Sequence, residues 1–573
     1  MREGPSVRKT GRRSVSFGGI TKTNLEEVRV GVCRQGKPDS NQRVGMSVTV
    51  APGYPVVAGL WAVGAPNTQT LSSRHRGRMK DFSSHDATSL AALVRNGEVT
   101  PRELVASAIE RIESLNPKLN AVVHKMYDSA LRQADGPLPE GPFRGVPFLL
   151  KDLSSWYEGE PLTCGSRLFK DFIPPHDTET VARFRRAGVI VLGKTNTPEF
   201  GLSPFTEPEL HGPSFNPWDT GRTTGGSSGG SGAAVASGMV PFASASDGGG
   251  SIRVPASCCG IFGLKPTRGR VPTGPINGEV WQGASIEHCL TRSVRDSAAM
   301  LDAICGPDAG APYWAQPPVR PFLDEVNAAP RKLRVAFTTQ PLVGHSVHPD
   351  CVTAVTNTAK LLESLGHDVF ESAPPVERDE FNRAFLTMIC GEINADLHHA
   401  ETLVGRVATY ADVEVTTWAL HLLGSTITAG EFVTAENFLR RVARRVGQYF
   451  ETIDVLLTPT LSRPPVRTGE LQPPAGEKRM LKVLGRIGAG RTLRRLGALE
   501  KAAGQIFDFI PYTPLFNVTG QPAMSVPLHW NAENLPIGVQ IVGRYADEAT
   551  LFNLASQLEQ ALPWKDRHPP LFG

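Results

Sequence analysis

The sequence predicts an α/β fold, and three observations carry that reading. Apolar runs of strand length alternate with stretches of helical spacing from about Asp86 onward. Runs such as Phe148-Leu149-Leu150 and Val189-Ile190-Val191-Leu192 are apolar throughout, as strands covered on both faces are. The first long helical stretch opens on Thr100-Pro101-Arg102-Glu103, a capping box with proline at the first helical position.

From that cap, Leu104, Ala108, Ile112 and Leu115 mark one face of a helix expected to end before Pro117. Phe148 to Leu150 is a buried strand. Residues 178–187 read as a helix and 189–192 as the strand after it. A similar unit recurs at 333–337, 351–365 and 368–370. Residues 384–449 follow helical spacing almost throughout. Residues 471–498 are basic, carry Pro473-Pro474, and are expected as a surface excursion, with a flap over the site as its functional alternative. Residues 520–527 and 536–543 read as two strands joined by a turn, and 551–562 as a closing amphipathic helix. No internal repeat stands out, and 79–573 is expected to form one large domain.

Composition narrows the function class. With 40% hydrophobic and 20% charged residues in 573, the chain suits a globular protein. The net charge of +4 is uneven: residues 1–78 hold 13 Lys/Arg against 4 Asp/Glu, so the remainder is net acidic. Nucleic acid is therefore not an expected partner of the body. Residues 1–78 are basic, Gly/Pro-rich and aperiodic, and are expected to be a disordered extension. No run approaches the length of a membrane span, so no membrane partner is expected. The eight cysteines are scattered without metal-ligand spacing, which favours reduced thiols, a cytoplasmic location and no metal. Cys258-Cys259 reads as core.

One stretch stands apart, from Arg222 to Ser257. It opens on Gly225-Gly226-Ser227-Ser228-Gly229-Gly230-Ser231 and closes on Asp247-Gly248-Gly249-Gly250-Ser251. A flexible linker of such composition would be solvated. Here Ala233 to Ala236 and Val240 to Ala243 are apolar, so the glycines are expected inside a packed core. Three glycines before a serine let consecutive backbone N–H groups converge on one point, the geometry that stabilises an oxyanion. His176, His211 and His288 lack triad context and read as surface-loop histidines. Lys151 ends an apolar run, where desolvation favours a neutral amine. Strand alternation sends Asp152 to the opposite face, away from Lys151. The alternative is a strand-end lysine reaching out to solvent.

These segments resemble the signature of the amidase signature family of serine hydrolases. The match continues through Ile252-Arg253-Val254-Pro255-Ala256 and Gly263-Leu264-Lys265-Pro266-Thr267, and upstream through Gly145 to Asp152. It covers roughly residues 81–562. The resemblance implies a large mixed central sheet covered by helices on both faces. It implies a Ser–cis-Ser–Lys triad, with Ser251 as nucleophile, Ser227 as proton relay on a non-proline cis peptide, and Lys151 as base. Ser228 would support the network. Backbone N–H groups of Gly248, Gly249, Gly250 and Ser251 would form the oxyanion hole, and Asp247 and Arg253 would brace the loop. Many family members carry a bulkier residue than Gly248, which suggests a looser loop here. No cofactor is required. The central and C-terminal motifs, including Phe516 to Pro522, look similar to bacterial amidases, among them hydrolases of 6-aminohexanoate cyclic dimer. Their pocket cysteine has Cys390 as its counterpart, with core packing as the other reading. The implied partner is a small-molecule amide, and a homodimer is admitted.

Three rival readings accompany this one. Gly188-Val189-Ile190-Val191-Leu192-Gly193-Lys194-Thr195 fits the pattern of a phosphate-binding loop, but its middle residues are those of a strand. Glutaminyl-tRNA amidotransferase A subunits share the signature and work with partner subunits. A catalytically silent binding protein is disfavoured by the intact Lys151, Ser227 and Ser251 set.

Overall fold

A computed structural model of the chain describes Met79 and residues 81–572. The expectation of a disordered extension over 1–78 lies outside the described residues.

Among these residues the strands are β1 Val122–Lys125, β2 Pro147–Lys151, β3 Ile190–Thr195, β4 Phe242–Asp247, β5 Phe262–Lys265, β6 Ile286–Thr291, β7 Arg334–Phe337, β8 Asp368–Glu371, β9 Val455–Pro459, β10 Ala523–Trp530 and β11 Pro536–Gly543. They form one sheet in the order β1-β3-β2-β4-β6-β5-β10-β11-β9-β7-β8. The sheet is mixed. β2 runs parallel to β3 and β4, whereas β6 is antiparallel to β4 and β5. The predicted pair at the C-terminus is the antiparallel pair β10 and β11. Every residue of β2, β3, β4, β5, β9 and β11 is buried, which requires cover on both faces and explains the apolar runs Phe148-Leu149-Leu150 and Val189-Ile190-Val191-Leu192. Helix Gly229–Ala236 packs on β2, β3 and β4, and helix Arg253–Cys259 packs on β5, β10 and β11.

The capping box forms as read: Thr100 and Glu103 cap helix Pro101–Leu119 reciprocally. That helix does not stop before Pro117. Proline in the last turn forfeits one hydrogen bond, and the chain leaves the helix only at Asn120, with φ 45°. The unit at 333–370 is β7, helix Pro349–Ser364 and β8. Helices Arg378–Val404, Val415–Gly424 and Ala429–Tyr449 fill the long helical region.

Residues 471–498 contain two helices, Ala475–Arg486 and Gly490–Arg495. Leu481 and Leu493 are buried with Leu422 and Leu423, and Trp418 Nε1 donates to the Gly485 carbonyl at 3.1 Å. The segment is thus anchored on helix Val415–Gly424, while Val483, Ile487 and Leu496 stay exposed. No helix among the described residues is long and apolar enough to cross a membrane.

Candidate active site

The Gly/Ser stretch is core. Helix Gly229–Ala236 is buried at every residue. A Cβ on Gly230 would lie 2.4 Å from the backbone N of Asn196, so only glycine lets this helix approach the loop after β3.

Lys151 ends β2 and is 1% exposed. Its Nζ donates to Ser227 Oγ at 2.7 Å and to Ser246 Oγ at 2.9 Å. Burial lowers its pKa to about 7, against the opposing pull of Asp247 and Glu287. Asp152 plays no part there. It accepts from Thr163 and faces Lys194. Ser227 is 2% exposed and the Gly226–Ser227 peptide is cis. Ser228 Oγ donates to the Ser246 carbonyl at 3.3 Å and accepts from the Ser246 N–H at 3.4 Å. Ser246 thus links Lys151 to Ser228, while Lys151 itself reaches Ser227. The sequence reading missed it, although Ser244 and Ser246 alternate along β4 and so share one face.

The loop after β4 is organised by one buried ion pair. Arg253 Nε and Nη2 donate to Asp247 at 2.9 Å each, and both side chains are fully buried. Arg253 also donates to Gln540 Oε1 and Asn517 Oδ1 at 2.6 Å each. Asn517 Nδ2 returns to Asp247 Oδ1 at 2.8 Å. Burial opposes the charge on Asp247, but the Arg253 guanidinium and these hydrogen bonds outweigh it and hold the carboxyl well below the usual range.

Asp247 also corrects the expectation for the glycines. It accepts the Gly250 N–H at 2.7 Å, so that donor is turned into the ion pair rather than toward the cavity. Ser251 lines a cavity of about 80 Å³ together with Gly226, Gly249 and Gly250. Its other walls include Leu202, Trp281, Phe385, Ile389 and Phe507. Gly248 does not loosen the loop. A Cβ there would meet the Trp281 ring at 2.8 Å, so the indole fills the space a side chain would take.

The structure decides between the two readings of Cys390 and corrects the one for His288. Cys390 is fully buried and packs with Ala419, Leu422 and Leu493. Its helix neighbours Leu386 and Ile389 line the cavity instead, because each residue step turns about 100° on a helix. His288 is on no loop. It is buried on β6, hydrogen-bonded to Ser297 Oγ at 2.9 Å, and burial pushes its pKa down to about 3. His176 is exposed and His211 half-buried. The phosphate-loop pattern lies largely within β3, where Lys194 and Thr195 pair with strands on both sides and Gly193 pairs with β1, so no loop exists to cradle a phosphate. Cys258 and Cys259 are buried free thiols, as read.

Comparison with known proteins places this geometry. The profile of the family described as Amidase matches residues 103–552. The 6-aminohexanoate-cyclic-dimer hydrolase of Pseudomonas sp. (strain NK87) is 39% identical over 493 residues, covering 85% of this chain and 96% of that protein. A solved structure of 6-aminohexanoate cyclic dimer hydrolase complexed with substrate superposes with a TM-score of 0.78 at 37% identity, covering 86% of this chain and 100% of the other. A bacterial aryl acylamidase of the amidase signature enzymes gives a TM-score of 0.72 at 26% identity, covering 84% of this chain and 96% of the other. A profile match over most of the chain, relatives aligned nearly end to end and a shared mixed sheet agree that the chain belongs to the amidase signature family of amide-hydrolysing enzymes.

Proposed function

We propose that the chain cleaves small-molecule carboxylic amides through an acyl-enzyme on Ser251, with Ser227 as relay and Lys151 as base. The observation that carries this reading is the 2.7 Å contact between Lys151 Nζ and Ser227 Oγ, made by an amine that burial holds near neutrality. A neutral Lys151 accepts the Ser227 hydroxyl proton as Ser227 takes the proton of Ser251. Ser251 Oγ bonds to the amide carbon, and the negative charge gathers on the carbonyl oxygen. N–H groups of Gly248, Gly249 and Ser251 are the donors proposed for it, each worth about 10²–10³ in rate. The carbon–nitrogen bond breaks as the proton returns through Ser227 to the departing nitrogen. Water then attacks the ester by the same relay and leaves the carboxylate.

The walls around Ser251 are apolar, which suits aliphatic amides. The relative that acts on 6-aminohexanoate cyclic dimer supports the same choice, and cyclic amides belong in the substrate panel. The seven free cysteines among the described residues support a reducing, cytoplasmic setting. The test is labelling by a fluorophosphonate with peptide mapping, run beside an amide panel. Label on Ser251 that disappears in Ser251→Ala supports the assignment. Label elsewhere, or turnover that survives Ser251→Ala, removes it.

A further inference from the structure

Three neighbouring strands carry one row of polar side chains past the lysine. β4 lies between β2 and β6 in the sheet. Lys151, at the end of β2, donates from Nζ to Ser246 Oγ on β4 at 2.9 Å. Ser246 is in turn the register partner of Glu287 on β6. Directly opposed residues leave the same face of a sheet with Cβ atoms about 4.5–5.5 Å apart. The amine and the carboxyl therefore flank one hydroxyl on one face.

Glu287 is also tied to the strand that carries the lysine. Ser154 Oγ donates to its carboxylate at 2.5 Å, and Thr180 is a further hydrogen-bond partner. Ser154 lies three residues after Lys151, in the turn that leaves β2, and has φ 57°. That conformation is unfavourable for a residue with a side chain, and the bond to Glu287 helps to hold it. Burial raises the pKa of Glu287, while Ser154, Thr180 and Lys151 pull it down. Asp247 and Glu287 are the two carboxylates that oppose burial at Lys151. Their situations differ. Asp247 is engaged by Arg253 through two hydrogen bonds of 2.9 Å, whereas Glu287 is held by hydroxyls, which leave its charge in place. The other titratable groups around Glu287 are Asp396 and His399, which line the same cavity of about 180 Å³ from helix Arg378–Val404. Burial, with nearby Glu392, pushes Asp396 up to about 7.

We propose that Glu287 is a positioning residue for the base: from its place in the row Lys151–Ser246–Glu287 it supplies the negative charge against which Lys151 takes up its proton, and through Ser154 it fixes the end of β2. It touches neither the substrate nor the reacting atoms. The proposal rests on the reading of Lys151 as base. A buried amine with no counter-charge is neutral but a weak base, because the ammonium it must become has lost its water. A carboxylate nearby stabilises that ammonium as it forms and keeps the affinity of the base near the working pH. The sign is fixed: an ionised Glu287 favours protonated Lys151, so removing the charge lowers the pH at which the amine becomes free.

The experiment is the pH profile of kcat/KM for an aliphatic 4-nitroanilide on the full chain, in wild type, Glu287→Gln and Glu287→Asp. Glutamine keeps the shape and an acceptor for Ser154 and removes the charge. Aspartate keeps the charge and shortens the reach to Ser154. In Glu287→Gln the plateau should fall by about three- to tenfold, and the acid limb should move to lower pH by about half to one unit. In Glu287→Asp the limb should return toward wild type even where the rate stays low. A Glu287→Gln limb that does not move shows a merely structural role and overturns the proposal, as does an equal shift in both variants. Should Glu287→Gln fail to fold, Glu287→Ala must move the limb in the same direction, since the cavity beside it accommodates the change. The same pH series is run on the rate at which a fluorophosphonate labels Ser251, which needs the base but no amide. If no amide is turned over while Ser251 is labelled, the amidase reading fails, and the labelling limb alone then upholds or removes Glu287. Labelling whose pH dependence survives Lys151→Met removes both.

Discussion

Lys151→Met separates the stability of the fold from the proposed chemistry. Methionine fills most of the lysine volume without a charge. In the folded chain burial lowers the lysine pKa from 10.5 to about 7, a shift that corresponds to about 5 kcal/mol. The sign follows from proton linkage. Between about pH 7 and 10.5 the unfolded chain holds a proton that the folded chain has released, so wild-type stability rises with pH across that window. The penalty is fully present below about 7 and vanishes above 10.5. Methionine removes it but forfeits the hydrogen bonds to Ser227 and Ser246, together worth about 2–3 kcal/mol. Lys151→Met should therefore be more stable than wild type by roughly 2 kcal/mol near pH 7 and less stable by about as much near pH 10. Amide turnover should fall by about 10²–10⁴ at either pH. Urea midpoints at the two pH values, beside turnover, read this directly. A variant that is destabilised near neutral pH, or a difference that does not move with pH, would falsify the neutral buried amine.

Other perturbations test the surroundings. Ser227→Ala should retain the fold and lose about 10²–10⁴ in kcat, with Ser251 still present to be labelled by a fluorophosphonate at a slower rate; an unchanged kcat removes the relay. Arg253→Met leaves the fully buried Asp247 carboxylate without its guanidinium and should cost about 3–5 kcal/mol in denaturant unfolding, and a loss below 1 kcal/mol would show that the pair is dispensable. Gly248→Ala places a Cβ 2.8 Å from the Trp281 ring, so the indole must move; the expected outcome is a shifted tryptophan emission with KM altered more than stability, and an unchanged spectrum refutes the contact.

The readable parts of this chain are those where neighbouring residues carry the whole signal. Helix Pro101–Leu119 announced itself because both partners of its cap lie within four residues. β2 did so because a strand covered on both faces is mostly apolar, and Lys151 at its end was readable as desolvated because it continues that run. Ser227 and Ser251 sit in runs of glycine that make sense only where backbone must pass close to something. The unreadable parts depend on register. Nothing near Glu287 in sequence tells that β6 pairs with β4 and sets that carboxyl beside Ser246. Asn517 and Gln540 reach Arg253 from more than 250 residues away. His288 carried a signal that went unused: Ile286, Cys289 and Leu290 around it are buried strand residues, and a strand covered on both faces buries its polar positions too.

Gly248 shows where local reading reverses its own conclusion. Taken alone, a run of three glycines opening on Gly248 suggests slack. In the fold the missing side chain is supplied from outside the loop by Trp281, in a segment where Trp281, Gln282 and Gly283 all have positive φ. Holding three successive residues in that region is unfavourable for the two that are not glycine. The segment is held by contacts on both flanks, Gln282 Nε2 donating to Glu392 Oε1 at 2.7 Å and the Arg268 guanidinium donating to the Gly283 carbonyl at 2.7 Å. The same indole that closes over Gly248 also forms part of the wall of the cavity at Ser251. The glycine and the tryptophan are thus one structural feature written 33 positions apart, and the shape of the site follows from the pair.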